Sequence, residues 1–401
     1  MNKLFDYLHL RDCGGLELLF AMLPMLSGYS YPGLPFSVLI PVLLIILSFK
    51  REKPLLTHSH SCIIILLVYI IVHEILLGLF SVGLGASFIN NTLQSIFCLS
   101  AAIIVGPKIV FSKMLGAINW VALVSMGGMV YHFVLFLNGS SFTPIALPFL
   151  PDMDPSSRIF ILVDRPSSFY MEPQAYVSFM MVPLFLALYE RKYIWSGIII
   201  LTLFMSSSTT GLLLVFLMSV FFVLTHGVKK KMRIMSLGLI VIMAIVLTQT
   251  SIFGQAVDKL TSTDVETNVR LSQGPSIVKS MKSEYFLFGA PFSSAYDYCV
   301  NMCASLDIIY YGTGVFVATF WLLILRYGIA GLLLYVNVYI KFWKSTRLLF
   351  PYIFCLIVTM FSNRDFFGAF FCFQMIFIVV FDNYKNNKIA YEGSTYRVGA
   401  R

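Results

Sequence analysis

Charged side chains are scarce in this sequence. Only 12% of its 401 residues are Asp, Glu, Lys or Arg, about half of the share typical of soluble domains. At the same time 58% of the residues are hydrophobic. This balance excludes an ordinary soluble domain and predicts a protein embedded in a lipid bilayer.

Several motifs that carry chemistry in other proteins are also missing. The sequence has no Walker loop, no HExxH, no GxSxG and no paired acidic motif in the segments predicted to lie outside. No Cys or His spacing resembles a metal site, so we predict neither a metal nor a cofactor. An internal repeat is missing as well, which disfavours a transporter built from two related halves.

Long apolar runs recur along the chain, and clusters of Lys and Arg separate them. Basic residues in short loops stay cytoplasmic, which fixes the orientation of each run. This pattern predicts both termini in the cytoplasm and no removable signal peptide. The net charge of +9 is explained by basic inner loops facing anionic lipid, and we predict no nucleic-acid partner. Twelve spans are predicted: 15–30, 34–49, 61–80, 86–106, 115–137, 173–189, 194–207, 210–226, 234–251, 326–342, 349–362 and 366–381.

The predicted organisation is one integral membrane domain over residues 1–401, with two large outer loops at about 138–172 and 252–325. Two parts of this topology are less regular. Residues 195–226 must form two short helices that turn at 206–210, because both flanks are basic. Residues 312–325 are apolar, and we interpret them as a helix that lies on or dips into the outer face, since a further span would reverse the charge pattern.

The first stretch that indicates chemistry is RPSSFYMEP, residues 165–173, at the outer start of the sixth predicted span. It presents Arg165 and Glu172 beside aromatic side chains, among them Tyr176. A plainer interpretation stays open: an acid followed by Pro173 is typical of a helix start. On that interpretation Arg165 is only a surface partner or an anchor to lipid phosphate.

Four arginines lie in or beside the predicted outer segments. Guanidinium groups are planar, permanently charged and bidentate, which suits a diphosphate ligand. If the four converge on one outer face, they form a diphosphate site, with Asn301 of the second loop as a further substrate-binding candidate. The alternative for each arginine is an interaction with lipid phosphate. The four are Arg165, Arg270, Arg326 and Arg364.

Away from the first and last few residues of the predicted spans lie the ionisable side chains His73, Glu74 and His132. A charge in the hydrocarbon region costs several kcal/mol (about 2.5–3.5 on insertion scales), so such groups mark a site or a pair. We interpret Glu74 and His132 as polar contacts within the helix bundle rather than as catalysts.

Taken together, these segments resemble the bacterial O-antigen polymerase (Wzy-type) family, within the O-antigen polymerase and ligase superfamily. The similarity rests on R-P-S-S-F-x-x-E-P at 165–173, on S-S-S-T-T-G at 206–211, and on Leu-Phe-Gly at 287–289. Arg270 and the Arg-Tyr-Gly step at 326–328 belong to it as well. The number of spans and the two large outer loops fit the same family.

The resemblance implies an all-α polytopic membrane protein, GT-C-like, with about twelve transmembrane helices and two large periplasmic loops. It implies a glycosyltransferase of the bacterial inner membrane that polymerises undecaprenyl-diphosphate-linked repeat units in lipopolysaccharide or related polysaccharide biosynthesis. Glu172 would be the base, Arg165 and Arg270 would hold the diphosphate, and Arg326, Arg364, Tyr176 and Asn301 would bind substrate. Implied partners are the lipid-linked donor and acceptor glycans, inner-membrane lipids, a chain-length regulator and a flippase.

Two other functions remain open. A flippase or transporter of lipid-linked oligosaccharides predicts charged residues along the centre of the bundle, short outer loops and two-fold repeat symmetry. A multi-pass O-acyltransferase predicts a histidine that faces an intramembrane acyl tunnel, for which His132 is the candidate. Related ligases use a histidine in the second loop, and this chain has none after His226. That difference favours a polymerase over a ligase.

Overall fold

A computed structural model describes residues 2–31, 34–51, 60–80, 86–140, 143–148, 150, 165–225, 269–290, 298, 317–361 and 367–398. Helix accounts for 80% of the described residues, which confirms the predicted all-α class. The described strands are two-residue pieces, β1 (Ser30–Tyr31) and β2 (Leu34–Pro35), paired antiparallel. Backbone contacts divide the chain into two compact units.

The first unit comprises Met1–Phe36, Ser112–Asp264 and Phe354–Leu356. Three of its helices, α7, α8 and α9, pack against one another, and their buried faces are apolar. Ser208 ends the turn between α8 and α9, where its hydroxyl accepts a hydrogen bond from the Gly211 amide at 3.3 Å. The helices of this unit are α1 (Asn2–Tyr7), α2 (Gly15–Leu26), most of α6 (Phe111–Leu137), α7 (Pro173–Tyr189), α8 (Tyr193–Met205) and α9 (Thr209–Thr225).

The second unit comprises Ser37–Phe111, Val265–Ile353 and Ile357–Arg401. In this unit α12 packs against α4, α10, α11 and α14. Helix α5 packs against α4 and α14. The helices are most of α3 (Phe36–Ser48), α4 (His60–Phe80), α5 (Ala86–Ile104), α10 (Val269–Lys279), α11 (Ser283–Phe288), α12 (Thr319–Ser345), most of α13 (Phe350–Met360) and α14 (Ala369–Val398). Short 3-10 turns lie at Gly106–Lys108 and Arg347–Leu349 in this unit, and at Leu10–Asp12 in the first unit.

Within the described residues, three helical segments are long and apolar enough to cross a membrane: Ile89–Lys108, Phe111–Leu137 and Thr319–Ser345. This agrees with a membrane protein. Every predicted span overlaps a helix except 234–251, which lies outside the described residues. The two helices predicted within 195–226 are confirmed as α8 and α9. The count of twelve crossings, the loops' periplasmic side and the single membrane domain stay predictions.

The predicted boundary of the second outer loop differs from the structure. The tenth span was predicted to begin at residue 326, but α12 begins at Thr319 and continues to Ser345. Gly328, with φ 67° and ψ −175°, is not helical and kinks α12. Residues 319–325 are therefore the first arm of a kinked helix, and α10 and α11 add two more helices to the same predicted loop.

Candidate functional site

The 165–173 segment forms a tight turn that leads directly into α7. Ser168 adopts a positive φ of 60°, which is costly for a residue with a side chain and persists only where its surroundings hold it. The Tyr170 amide donates to the Ser167 carbonyl at 3.1 Å and closes the turn. Pro173 then occupies the first turn of α7, where its missing N–H is not needed.

One face of α6 holds this turn through neutral hydrogen bonds. His132 Nδ1 accepts from the Ser167 and Ser168 amides at 3.4 and 3.1 Å. Ser168 Oγ donates to the Ser125 carbonyl at 2.7 Å. These partners are all buried, and the His132 side chain is 1% exposed. The backbone of the 165–173 segment is thus fixed by polar contacts that need no charge.

Aromatic side chains also join the 165–173 segment to α6 and α7. The Tyr170 hydroxyl is 3.0 Å from Ser125 Oγ, and its ring packs against Tyr176 and Phe179 with centroids 5.8 and 5.7 Å apart. Burial raises the pKa of the Tyr170 phenol well above its ordinary value, so this hydroxyl stays neutral. Tyr176 is fully buried. Because it lies in the core beneath the turn, we leave it out of the proposed ligand contacts.

The segment predicted to form the first outer loop makes a hydrogen bond to the same turn. The Ile145 amide donates to the Ser168 carbonyl at 2.9 Å, and the Leu147 amide donates to the Tyr29 hydroxyl at 2.7 Å. The first of these bonds joins residue 145 directly to the 165–173 segment, and the second joins residue 147 to Tyr29.

The two charged side chains of the segment are partly exposed. Among the described residues, neither the Arg165 guanidinium nor the Glu172 carboxylate has an ion-pair partner. Glu172 does stand at the start of α7, as the plainer interpretation requires, and its carbonyl accepts from the Ala175 amide. Its side chain, however, makes no capping hydrogen bond. The helix start therefore explains why Glu172 lies at this position, but it does not explain why the residue there carries a carboxylate.

In the second unit, a buried ion pair joins α4 to α12. Glu74 is 3% exposed and Arg326 is 8% exposed. Arg326 Nε and Nη2 lie 3.0 and 2.8 Å from Glu74 Oε1. The same carboxylate accepts from the Tyr327 hydroxyl at 2.7 Å and from Thr92 Oγ1 at 2.9 Å. Glu74 is a bundle contact, as predicted, and its partner is one of the predicted ligand-binding arginines.

The kink in α12 is held by α11 through backbone contacts. The Ala290 amide donates to the Leu325 carbonyl at 2.7 Å. Gly289 and Gly328 both have positive φ, and a side chain on either would collide with the opposing backbone. His73 Nε2 donates to the Phe288 carbonyl at 2.7 Å. The Leu-Phe-Gly and Arg-Tyr-Gly steps of the sequence are therefore the two halves of one close backbone contact.

The sequence predicts Glu74 as a bundle contact and Arg326 as a diphosphate ligand, and it does not indicate that the two side chains form an ion pair. A signal was present, because both charges were predicted near the outer ends of spans, and a buried charge needs an opposite charge. It also named His132 without assigning its contact with the 165–173 segment. Since the Arg326 charge is engaged with Glu74, we leave Arg326 out of the proposed diphosphate site.

The other predicted site residues are only partly described. Arg270 lies in α10, but its side chain is outside the described part of the structure, as are Asn301 and Arg364. Arg165, Glu172 and Tyr176 all belong to the first unit. The convergence of four arginines stays a prediction.

No group of three or more His, Cys, Asp or Glu side chains within the described ranges is placed to hold a metal ion. No protein-family model matches this chain, and no curated protein sequence matches it either.

Proposed function

We propose that this chain is a glycosyltransferase of the bacterial inner membrane that polymerises undecaprenyl-diphosphate-linked oligosaccharide repeat units into O-antigen or a related surface polysaccharide. The observation that carries the proposal is the 165–173 segment. Its backbone is fixed by buried neutral contacts, while Arg165 and Glu172 have no ion-pair partner among the residues that the structure describes. The motif resemblance of the same nine residues gives the reaction class.

The proposed reaction transfers a growing glycan from its lipid diphosphate to the next lipid-linked repeat unit. A hydroxyl oxygen of the acceptor sugar attacks the anomeric carbon of the donor, and the Glu172 carboxylate takes the hydroxyl proton. The bond between the anomeric carbon and the diphosphate oxygen breaks, and the lipid diphosphate leaves with the electron pair. Arg165 stabilises the departing charge.

The surroundings suit this substrate in two respects. Three helices of the described part of the chain are long and apolar enough to cross a bilayer, and a bilayer is where polyprenyl chains dissolve. A guanidinium can bind two diphosphate oxygens at once, which an ammonium group cannot do in the same planar geometry. Arg165→Lys should therefore fail nearly as completely as Arg165→Ala.

The test in cells uses a strain that lacks this chain and is complemented with variants. We expect Arg165→Ala and Glu172→Gln to abolish the polymer ladder on lipopolysaccharide gels and to leave single repeat units on the lipid A core. Arg191→Ala and Glu284→Gln are matched controls at exposed positions, and both should restore the ladder. Immunoblots of membrane fractions establish that each variant is present in normal amount.

Other outcomes assign the chain to another class. A normal ladder from both Arg165→Ala and Glu172→Gln contradicts this site assignment. Repeat units trapped on the cytoplasmic side of the deletion strain indicate a flippase. A normal ladder that lacks acyl groups indicates an O-acyltransferase.

A further inference from the structure

We infer that His132 is a positioning residue for the proposed reaction: its imidazole holds the 165–173 segment, and with it Arg165 and Glu172, in the working arrangement. This inference rests on the proposed function. It assigns His132 no contact with substrate, in contrast to the acyltransferase interpretation, in which the same histidine takes part in the chemistry.

The first line of support is the pattern of contacts on α6. Ser125, Gly128 and His132 are three and four residues apart and so lie on one face of the helix. Ser125 binds Ser168 and Tyr170, and His132 binds the two amides at the centre of the turn. Gly128 lies between them, where a Cβ would come within 2.5 Å of Ser168 Oγ and 2.8 Å of the Phe169 ring. This face is shaped to receive the turn.

The second line is the chemistry of the imidazole. Nδ1 accepts from two successive amides, so this nitrogen carries no proton and the ring is neutral. In this arrangement Nδ1 of His132 acts as a buried hydrogen-bond acceptor for the Ser167 and Ser168 amides. Only a side chain with an acceptor at that point can replace it.

The third line is the distance along the chain. Ser167 is two residues from Arg165, and Ser168 is four residues from Glu172. Without the acceptor, the two amides lose their partner in a buried place, and the turn must shift to find another. A shift of about 1 Å in a reacting group costs about a hundredfold in rate.

The test compares three substitutions of His132 in the purified full-length protein. Asn carries its amide oxygen on the same carbon to which Nδ1 is attached, whereas Gln carries it one bond further out and Leu has no acceptor. We expect Leu and Gln to reduce the rate of chain extension about a hundredfold. Asn should restore most of it. The substrate is the lipid-linked repeat unit extracted from the deletion strain.

A second pair of variants keeps the inference testable if His132→Leu does not fold. Gly128→Ala presses on the turn and leaves His132 intact, whereas Gly127→Ala meets nothing within 4 Å. Both changes add the same methyl group to the same helix. Gly128→Ala should lower chain extension at least tenfold, and Gly127→Ala should behave as the unchanged protein.

The outcomes separate this inference from the proposed function. If Arg165→Ala keeps full activity, the proposed site is wrong whatever His132 does. If Arg165→Ala is inactive but His132→Leu and His132→Gln are fully active, only the positioning role is wrong. A folded His132→Asn that is as inactive as His132→Leu also overturns it, because the acceptor alone is then not what the reaction needs.

Discussion

The 165–173 segment and the α4–α11–α12 contact differ in the kind of side chain that holds irregular backbone in place. Both hold an irregular piece of backbone beside helices in a protein with few charges. In the first, neutral groups such as His132 and Ser125 hold the backbone, and Arg165 and Glu172 form no ion pair with any residue that the structure describes. In the second, the charges themselves hold the structure, because Arg326 and Glu74 bind each other.

The comparison shows which arginine can serve a ligand. Removing an ion from water is costly in a protein interior, and that cost is recovered only with a well-oriented partner. Arg326 has such a partner inside the protein, so a diphosphate would have to displace a buried carboxylate. Arg165 is partly exposed and has no such competitor in the described structure. Arg165 and Arg326, predicted for one role, therefore differ in their surroundings, because only Arg326 is paired with a buried carboxylate.

The largest effect expected on folding comes from breaking the buried pair. Glu74→Ala leaves the Arg326 guanidinium buried without its carboxylate, and we expect a loss of about 3–5 kcal/mol in the free energy of unfolding. Glu172→Ala removes a side chain that caps nothing, so stability should change by less than about 0.5 kcal/mol. Thermal melting of both variants in detergent is the measurement.

The control is the double variant Glu74→Leu with Arg326→Met, which removes both charges. Replacing a buried ion pair by apolar residues is often neutral or stabilising. We expect the double variant to recover much of the lost stability. Equal melting temperatures for Glu74→Ala and Glu172→Ala would contradict the contrast between the two regions.

A smaller effect is expected at the kink of α12. Gly328→Ala places a methyl group against the Leu287 carbonyl at a positive φ, and we expect a loss of about 1–3 kcal/mol. Gly197→Ala in α8 is the matched control, because it meets nothing within 4 Å. If Gly328→Ala melts at the same temperature as the control, the backbone contact between α11 and α12 is not formed as described.

Much of the fold could be predicted because apolar length and basic flanks are local properties of the sequence. The turn between α8 and α9 illustrates this, since the basic residues on both sides required two helices. The 165–173 segment was recognised for the same reason: its charges, proline and aromatics are contiguous.

The remaining features depend on contacts between distant parts of the chain. Nothing local in Arg326 indicates that Glu74 neutralises it, and nothing in Ser168 indicates that an imidazole from α6 holds its positive φ. A surface helix at 312–325 and a separate span from residue 326 were predicted, whereas residues 319–345 form one helix with a kink at Gly328. Such features follow from tertiary packing, which a pattern of residue types does not contain.

The central claim is that Arg165 and Glu172 carry out glycan transfer on a lipid diphosphate. The most direct measurement reconstitutes the purified chain in lipid vesicles with lipid-linked repeat units extracted from the deletion strain, with no nucleotide sugar added. The account predicts that the unchanged protein forms polymer and releases lipid diphosphate, and that Arg165→Ala and Glu172→Gln, equally folded, form neither. Polymer from those two variants at the rate of the unchanged protein would contradict it.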